Sequence, residues 1–283
     1  MAPSAIESYI AVTPAPDQEP DTYVNQELLD QQQGGRTVFG GLLVAQAIAA
    51  AHATVPTDFY VYSSQSSWLR PVSAKAQGKA TYHVERTGDG RSYAMRLVNN
   101  NVLTYNIPMP ALDVQPEEIP KETNAKFTVS QVNQSGGTMQ PWVPDEEPFD
   151  WRPAGFLASG DPTEVRLRGF VRSNPVSTRS AAVHLAGLSY VSDHLLAGVA
   201  VYANPGMVGK GGRNVAVVAS LTHNVSFHDP SVQIDEWMVV DRKTTCGAGG
   251  RVLVHQQVWN MQSGRLLMSV EQEALIRLKE ARL

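Results

Sequence analysis

Two kinds of hydrophobic pattern alternate along the chain, and they recur in the same order in its two halves. The first kind is apolar almost all the way round. Residues 180–197, SAAVHLAGLSYVSDHLLA, carry Val183, Leu185, Leu188, Tyr190, Val191, Leu195 and Leu196, which cover more than one stripe of a helix. A surface helix keeps a polar face, so this stretch predicts a buried helix. A second such stretch follows Gly40-Gly41 and runs from Leu42 to Val55. It is Ala-rich, and it stops just before Pro56, where a helix should end.

The second kind of pattern is strand-like. In the first half it occupies 58–71 and 78–87, then a GDGR turn and 92–98. In the second half it occupies 216–230, 235–244, 251–260 and 265–278, the last three separated by Gly-containing turns. The halves also match in detail. SSWLRP is echoed by VSFHDP, with Trp68 against Phe227 and Pro71 against Pro230, and Glu85-Arg86 is echoed by Asp241-Arg242. A helix that is apolar all round needs a sheet wrapped round it. Two such sheets pairing edge to edge account for the duplication. The pattern therefore predicts an α+β double hot-dog, two tandem repeats of a buried helix in an antiparallel sheet. The expected division is an N-terminal repeat over 1–107, a Pro-, Glu- and Gly-rich linker with local structure over 108–165, and a C-terminal repeat over 166–283.

Composition narrows the function. The 283 residues suit two medium domains or one large one, and 42% hydrophobic content supports a sizeable core. A net charge of -4 gives no reason to expect nucleic acid or an anionic membrane surface as partner. The apolar runs are too short or too broken to span a bilayer. MAPSAIESYIAV lacks the basic segment and apolar run of a secretory signal. A lone Cys246, in the turn TTCGAGG, excludes a disulfide framework and a cysteine-based zinc site. There is no G-x-S-x-G elbow, no H-E-x-x-H, and GKGGRN lacks the spacing of a phosphate loop. No metal or cofactor is expected.

What remains are polar residues on apolar faces. Asp193 sits in the second buried helix, where an ionised carboxylate is costly unless paired or used. The plainer alternative is that it caps a turn or meets water at the helix end. In the last strand, period two places Gln272 with Leu266, Met268, Val270, Ala274 and Ile276 on the inward face. Such an amide needs partners, and backbone alone would supply them in a structural glutamine. Ser220 shares a face with Val218 and Thr222, while Val217, Leu221, Val225 and Phe227 take the other, so the period leaves its direction open. As a set the three make chemical sense: a carboxylate tuned by desolvation acts as base, and a hydroxyl and an amide hold a water in line. An activated acyl group such as a thioester needs no covalent nucleophile, and helix N-terminal N–H groups would meet the oxyanion. The first helix offers no carboxylate, so one site per chain is expected.

RTVFGGLLVAQAIAAA (36–51), SSWLRP (66–71), VERTGDGRSY (84–93), LSYVSDHLL (188–196), ASLTHNVSFH (219–228), DEWMVV (235–240) and SVEQEALIR (269–277) together resemble the type II acyl-CoA thioesterases, the TesB-like and peroxisomal family. The resemblance spans most of the chain in the family's order. It implies a double hot-dog that hydrolyses acyl-CoA with a water oriented by Asp193 in Y-x-S-D, Ser220 two residues before T-H, and Gln272 in Q-E-A. The chain departs from the family at Gln65, often His, at Thr222, usually acidic, and at Ser226, usually Trp. NNNVLTYNIPMP also replaces a longer strand after Val98. The final Ala281-Arg282-Leu283 is a variant of the S-K-L peroxisomal address, and implies an import receptor as partner. Family habit and open sheet edges imply a homo-oligomer. Two further readings keep the fold: a thioesterase for a specialised biosynthetic thioester, and a silent acyl-CoA binder.

Overall fold

The computed structural model describes residues 3–27, 29, 38–72, 78–87, 105–119, 148–209 and 212–279. The first half opens with α1 (Ala5–Ile10) and the short strands β1 (Val12–Pro14) and β2 (Thr22–Asn25). Helix α2 (Gly40–Ala53) follows, then β3 (Ser63–Ser67) and β4 (Thr81–His83). The second half comprises β5 (Phe149–Leu157), β6 (Arg166–Ser173), α3 (Ala181–Asp193), the short helices α4 (Gly198–Tyr202) and α5 (Pro205–Val208), and then β7 (Val215–Phe227), β8 (Met238–Ala248), β9 (Arg251–Asn260) and β10 (Leu266–Leu278).

The two long helices pack on each other, as their unbroken apolar surfaces require. In α3 every residue from His184 to Asp193 is buried. Around them lie a three-stranded sheet, β1-β2-β4, and a seven-stranded antiparallel sheet in the order β3-β7-β10-β9-β8-β6-β5. This is the double hot-dog arrangement. The halves meet edge to edge at β3 and β7, where Gln65 lies opposite Asn224. β8, β9 and β10 form a meander, but β7 joins it beside β10 rather than beside β8. The segment 92–98, read as a strand, lies outside the described residues, as does most of the replaced stretch after Val98.

Within 108–165, Phe149–Leu157 forms β5, an edge strand of the large sheet. Pro153 is tolerated there because an edge strand has one side free of ladder bonds, and the register shifts between Pro153 and Gly155. The inward aromatics of β5 reach α3: Phe149 stacks on Tyr190 at 5.6 Å and Trp151 on His194 at 4.2 Å between ring centroids. The core itself is Leu185, Leu188 and Val191 against Val254, Val258 and Met268, all at most 1% exposed. Burying each such side chain contributes about 1.5–3 kcal/mol.

Helix α3 is shorter than its apolar run. It ends at Asp193, where His194 turns to φ -63, ψ 111 and Leu195 takes a positive φ of 53. The apolar pattern continues to Ala197 because α4 starts at Gly198 and is itself buried, so one sequence run covers two helices and the break between them. The break hands consecutive residues to different neighbours: Asp193 to β7 and β10, His194 to β5. Among the described residues no helix is long and apolar enough to cross a membrane.

Candidate active site

The C-terminal end of α3 carries the carboxylate. Asp193 Oδ1 accepts a hydrogen bond from Ser220 Oγ on β7 at 3.2 Å and another from Gln272 Nε2 on β10 at 3.0 Å. Gln272 Nε2 also donates to Ser220 Oγ. The three residues thus close a triangle under the helix end. Gln272 is 1% exposed and Asp193 9%, so the group is screened from water on most sides. The Asp is neither a turn cap nor a solvated helix terminus.

Ser220 reaches the triangle through a β-bulge. Along β7 and β10, Gln272 pairs with His223 and Glu273 with Thr222, but Ala274 pairs with Ser220, so Leu221 is skipped. One extra residue on β7 puts even-numbered Ser220 on the same inward side as odd-numbered His223, Val225 and Phe227. Strict alternation could not settle its direction, because the strand changes phase at this point.

The opposing wall is the N-terminus of α2. Gly41 N–H hydrogen-bonds Asp193. Both glycines are required by crowding. A Cβ on Gly40 would lie 2.6 Å from Asp193 Oδ2, and one on Gly41 would lie 2.7 Å from the Tyr190 carbonyl oxygen. The carboxylate therefore sits between the negative end of α3 and the positive end of α2.

These surroundings oppose one another. Burial pushes the Asp193 carboxyl above its ordinary value of 3.8 and outweighs the rest; His223, Gln272, Ser220 and Gly41 pull it back. His223, opposite Gln272, is held below 6.5 by burial, against the pull of Asp193 and Gln272. It is fully buried, with Nε2 2.7 Å from Ser192 Oγ. The sequence reading gave His223 no role. Period two puts it on the face of Leu221, Val225 and Phe227, and its place opposite the inward Gln272 shows once the strand register is known.

Other polar residues near α3 form a second group on the far side of the helix end. Arg242 on β8 and Gln256 on β9 are cross-strand partners, and Arg242 Nε donates to Gln256 Oε1 at 2.5 Å. Gln256 Nε2 donates to the Val191 carbonyl at 3.3 Å. Both interrupt inward faces otherwise made of Met238, Val240, Val254 and Val258, the pattern that had drawn attention to Gln272. The sequence reading used Arg242 only as an echo of Arg86. Among the described residues no group of three or more His, Cys, Asp or Glu could hold a metal. Cys246 is exposed and unpaired.

Comparison with known proteins agrees with this fold. Residues 116–276 match the acyl-CoA thioesterase C-terminal domain, and residues 29–103 match the acyl-CoA thioesterase N-terminal domain. The chain is 25% identical to human acyl-coenzyme A thioesterase 8, with 86% of this chain and 82% of that one covered. It is 26% identical to acyl-CoA thioesterase 2 of Haemophilus influenzae, with 88% and 91% covered. In three dimensions it is similar to the acyl-CoA thioesterase II TesB2 of Mycobacterium marinum, at a TM-score of 0.72 and 24% identity, over 98% of this chain and 99% of that one. With the C-terminal domain model alone covering more than half of its length, the chain belongs to the acyl-CoA thioesterase family.

Proposed function

We propose that the protein hydrolyses acyl-CoA thioesters by direct attack of a water molecule, with Asp193 as general base and Ser220 and Gln272 as the groups that position that water. The observation that carries this reading is the triangle itself. A buried carboxylate with a raised affinity for protons is held by two neutral hydrogen-bonding groups and faces a glycine-lined helix N-terminus.

The chemistry follows from the parts. Asp193 takes a proton from water as its oxygen bonds to the thioester carbonyl carbon. The carbonyl oxygen gains negative charge, which the positive end of α2 would stabilise, the Gly41 N–H itself being given to Asp193. The C–S bond then breaks and CoA leaves as the thiolate. The proton held by Asp193 returns to the sulfur or to solvent, leaving the free acid and CoA. A carboxylate is suited to this task only if its proton affinity is high enough to take a proton near neutral pH, and desolvation supplies that. Among the described residues no histidine bonds the Ser220 hydroxyl, which supports water rather than Ser220 as the nucleophile.

Cellular placement belongs to the same reading. Ala281-Arg282-Leu283, outside the described residues, would direct the chain to peroxisomes through the import receptor for such tails, and deletion of the three residues should return it to the cytosol. The outer strands of the large sheet, β3 and β5, offer edges for homo-oligomerisation.

The test is single-turnover hydrolysis of acyl-CoAs of graded length in ¹⁸O-labelled water. Direct attack puts one labelled oxygen into the acid in the first turnover and leaves no acyl group on the protein by mass spectrometry. An acyl-enzyme adduct on Ser220 would overturn the mechanism. Tight acyl-CoA binding with no thiol release at any length would favour the silent binder.

A further inference from the structure

The group on the far side of the α3 end contains a cation with no counter-charge among the described residues. Arg242 is 9% exposed, and among the described residues no carboxylate pairs with it. Its one hydrogen-bond acceptor is the neutral amide of Gln256. Burial draws its guanidinium down to about 10, which leaves it charged at neutral pH. A buried charge left this way is costly, and among the described residues only the Gln256 amide and the face of the Trp151 ring offset it.

The atoms around it are short of partners too. Arg242 Nη2, Trp151 Nε1 and both ring nitrogens of His194 are buried without a hydrogen-bond partner among the described residues. They belong to one cluster. The guanidinium lies 5.1 Å from the Trp151 ring centre and His194 stacks on the same indole. Burial and the nearby Arg242 hold the His194 ring down at about 3, so it is neutral and keeps one N–H to give. Three side chains from β5, the α3 end and β8 thus present donors with one net positive charge in an otherwise apolar interior.

We propose that Arg242, Trp151 and His194 form a binding site for a singly charged carboxylate. One positive charge matches one negative charge, and the guanidinium fork matches the planar carboxylate, whereas a phosphate dianion would leave a charge unbalanced. The site adjoins the hydrolytic triangle: His194 follows Asp193 directly, and Gln256 ties Arg242 to the carbonyl of Val191 two residues earlier. The carboxylate has two sources, the far end of an acyl group whose thioester is held at Asp193, or a free carboxylic acid. The first source rests on the hydrolytic reading above; binding of the anion does not.

The experiment has two arms. In the first, the full chain is titrated with sodium acetate and monosodium glutarate at constant ionic strength, against chloride, with calorimetry and thermal unfolding as readouts. Wild type should bind saturably and gain thermal stability, and Arg242→Met should bind about tenfold more weakly or not at all. Unliganded Arg242→Met should unfold at or above the wild-type temperature, because an apolar side chain replaces an unpaired charge. Should that variant not fold, Arg242→Lys, which keeps the charge without the fork, and Trp151→Phe, which removes one donor, should each weaken binding. Absence of saturable binding by wild type, or equal binding by the variants, overturns the site whatever the enzyme does. In the second arm, glutaryl-CoA and pentanoyl-CoA are compared as substrates. A preference for glutaryl-CoA lost in Arg242→Met places the carboxylate on the substrate. No such preference, with anion binding intact in the first arm, assigns the site to a free carboxylate.

Discussion

The two long helices, α2 and α3, occupy equivalent places in the two repeats, and each holds a buried polar side chain that meets its own sheet. In α2 the group is Gln46. Its Nε2 donates to the Tyr9 carbonyl at 2.6 Å, and its Oε1 accepts from the Tyr82 hydroxyl on β4 at 2.5 Å. Both ends of the amide are paired and nothing is charged. In α3 the group is Asp193, bonded to β7 and β10 by equally good geometry but bearing a charge that burial disfavours. A satisfied neutral group in a core is structural adhesive. A carboxylate kept in a place that raises its proton affinity costs stability, and this difference between the helices is the ground for proposing the second repeat as the seat of the chemistry.

The sharpest way to break this comparison is to neutralise the charged member. Asp193→Asn keeps shape and hydrogen-bonding capacity but cannot take a proton, so thiol release should fall by about 10²–10⁴-fold while acyl-CoA binding stays within a few-fold. Gln272→Ala comes next. It removes the donor shared by Asp193 and Ser220, with an expected loss of about 10²-fold in kcat, in line with the removal of a positioned donor elsewhere. Ser220→Ala deletes one bond to a charged acceptor, worth about 1.5–3 kcal/mol, so a loss of roughly ten- to a hundredfold should appear in kcat rather than in KM.

The neutral member should behave in the opposite way. Gln46→Leu removes the bonds that Gln46 makes to the Tyr9 carbonyl and the Tyr82 hydroxyl, so denaturant titration should register a loss of about 1–3 kcal/mol, with kcat of the remaining folded enzyme unchanged. A smaller effect sharpens the contrast. Because the folded-state pKa of Asp193 is raised, the native chain holds the proton more tightly than the unfolded chain, and ionising it lowers stability. Asp193→Asn should therefore melt a few degrees above wild type at neutral pH. The gap should close as pH falls through the raised pKa towards 3.8, where both states are protonated.

Much of this was legible in the chain. Helices apolar on all sides announced their own burial, and repeated strand spacing announced the sheets. Period-two alternation put Gln272 inward, where it lies. Ser220 was not legible, because a bulge is a break in period that shows itself only when the partner strand is known. The end of α3 was hidden for a related reason: the apolar run passes through His194 and Leu195 without a break, and the stacking of His194 on Trp151 at the turn is a tertiary contact that the run does not announce. Arg242 and Gln256 were readable by the same alternation as Gln272. A polar pair on facing strands looks like a surface pair until the register places both inside.

The central claim is that an ionised Asp193 takes the proton from water. It is tested most directly by the pH dependence of kcat/KM for wild type and Asp193→Asn on one acyl-CoA. Wild type should lose activity as pH falls, with unit slope and an apparent pKa above the ordinary 3.8 of an aspartate. The variant should keep only a low residual rate without that limb. A variant that keeps the same limb at a near-wild-type rate would contradict the account, and would move the base to another residue.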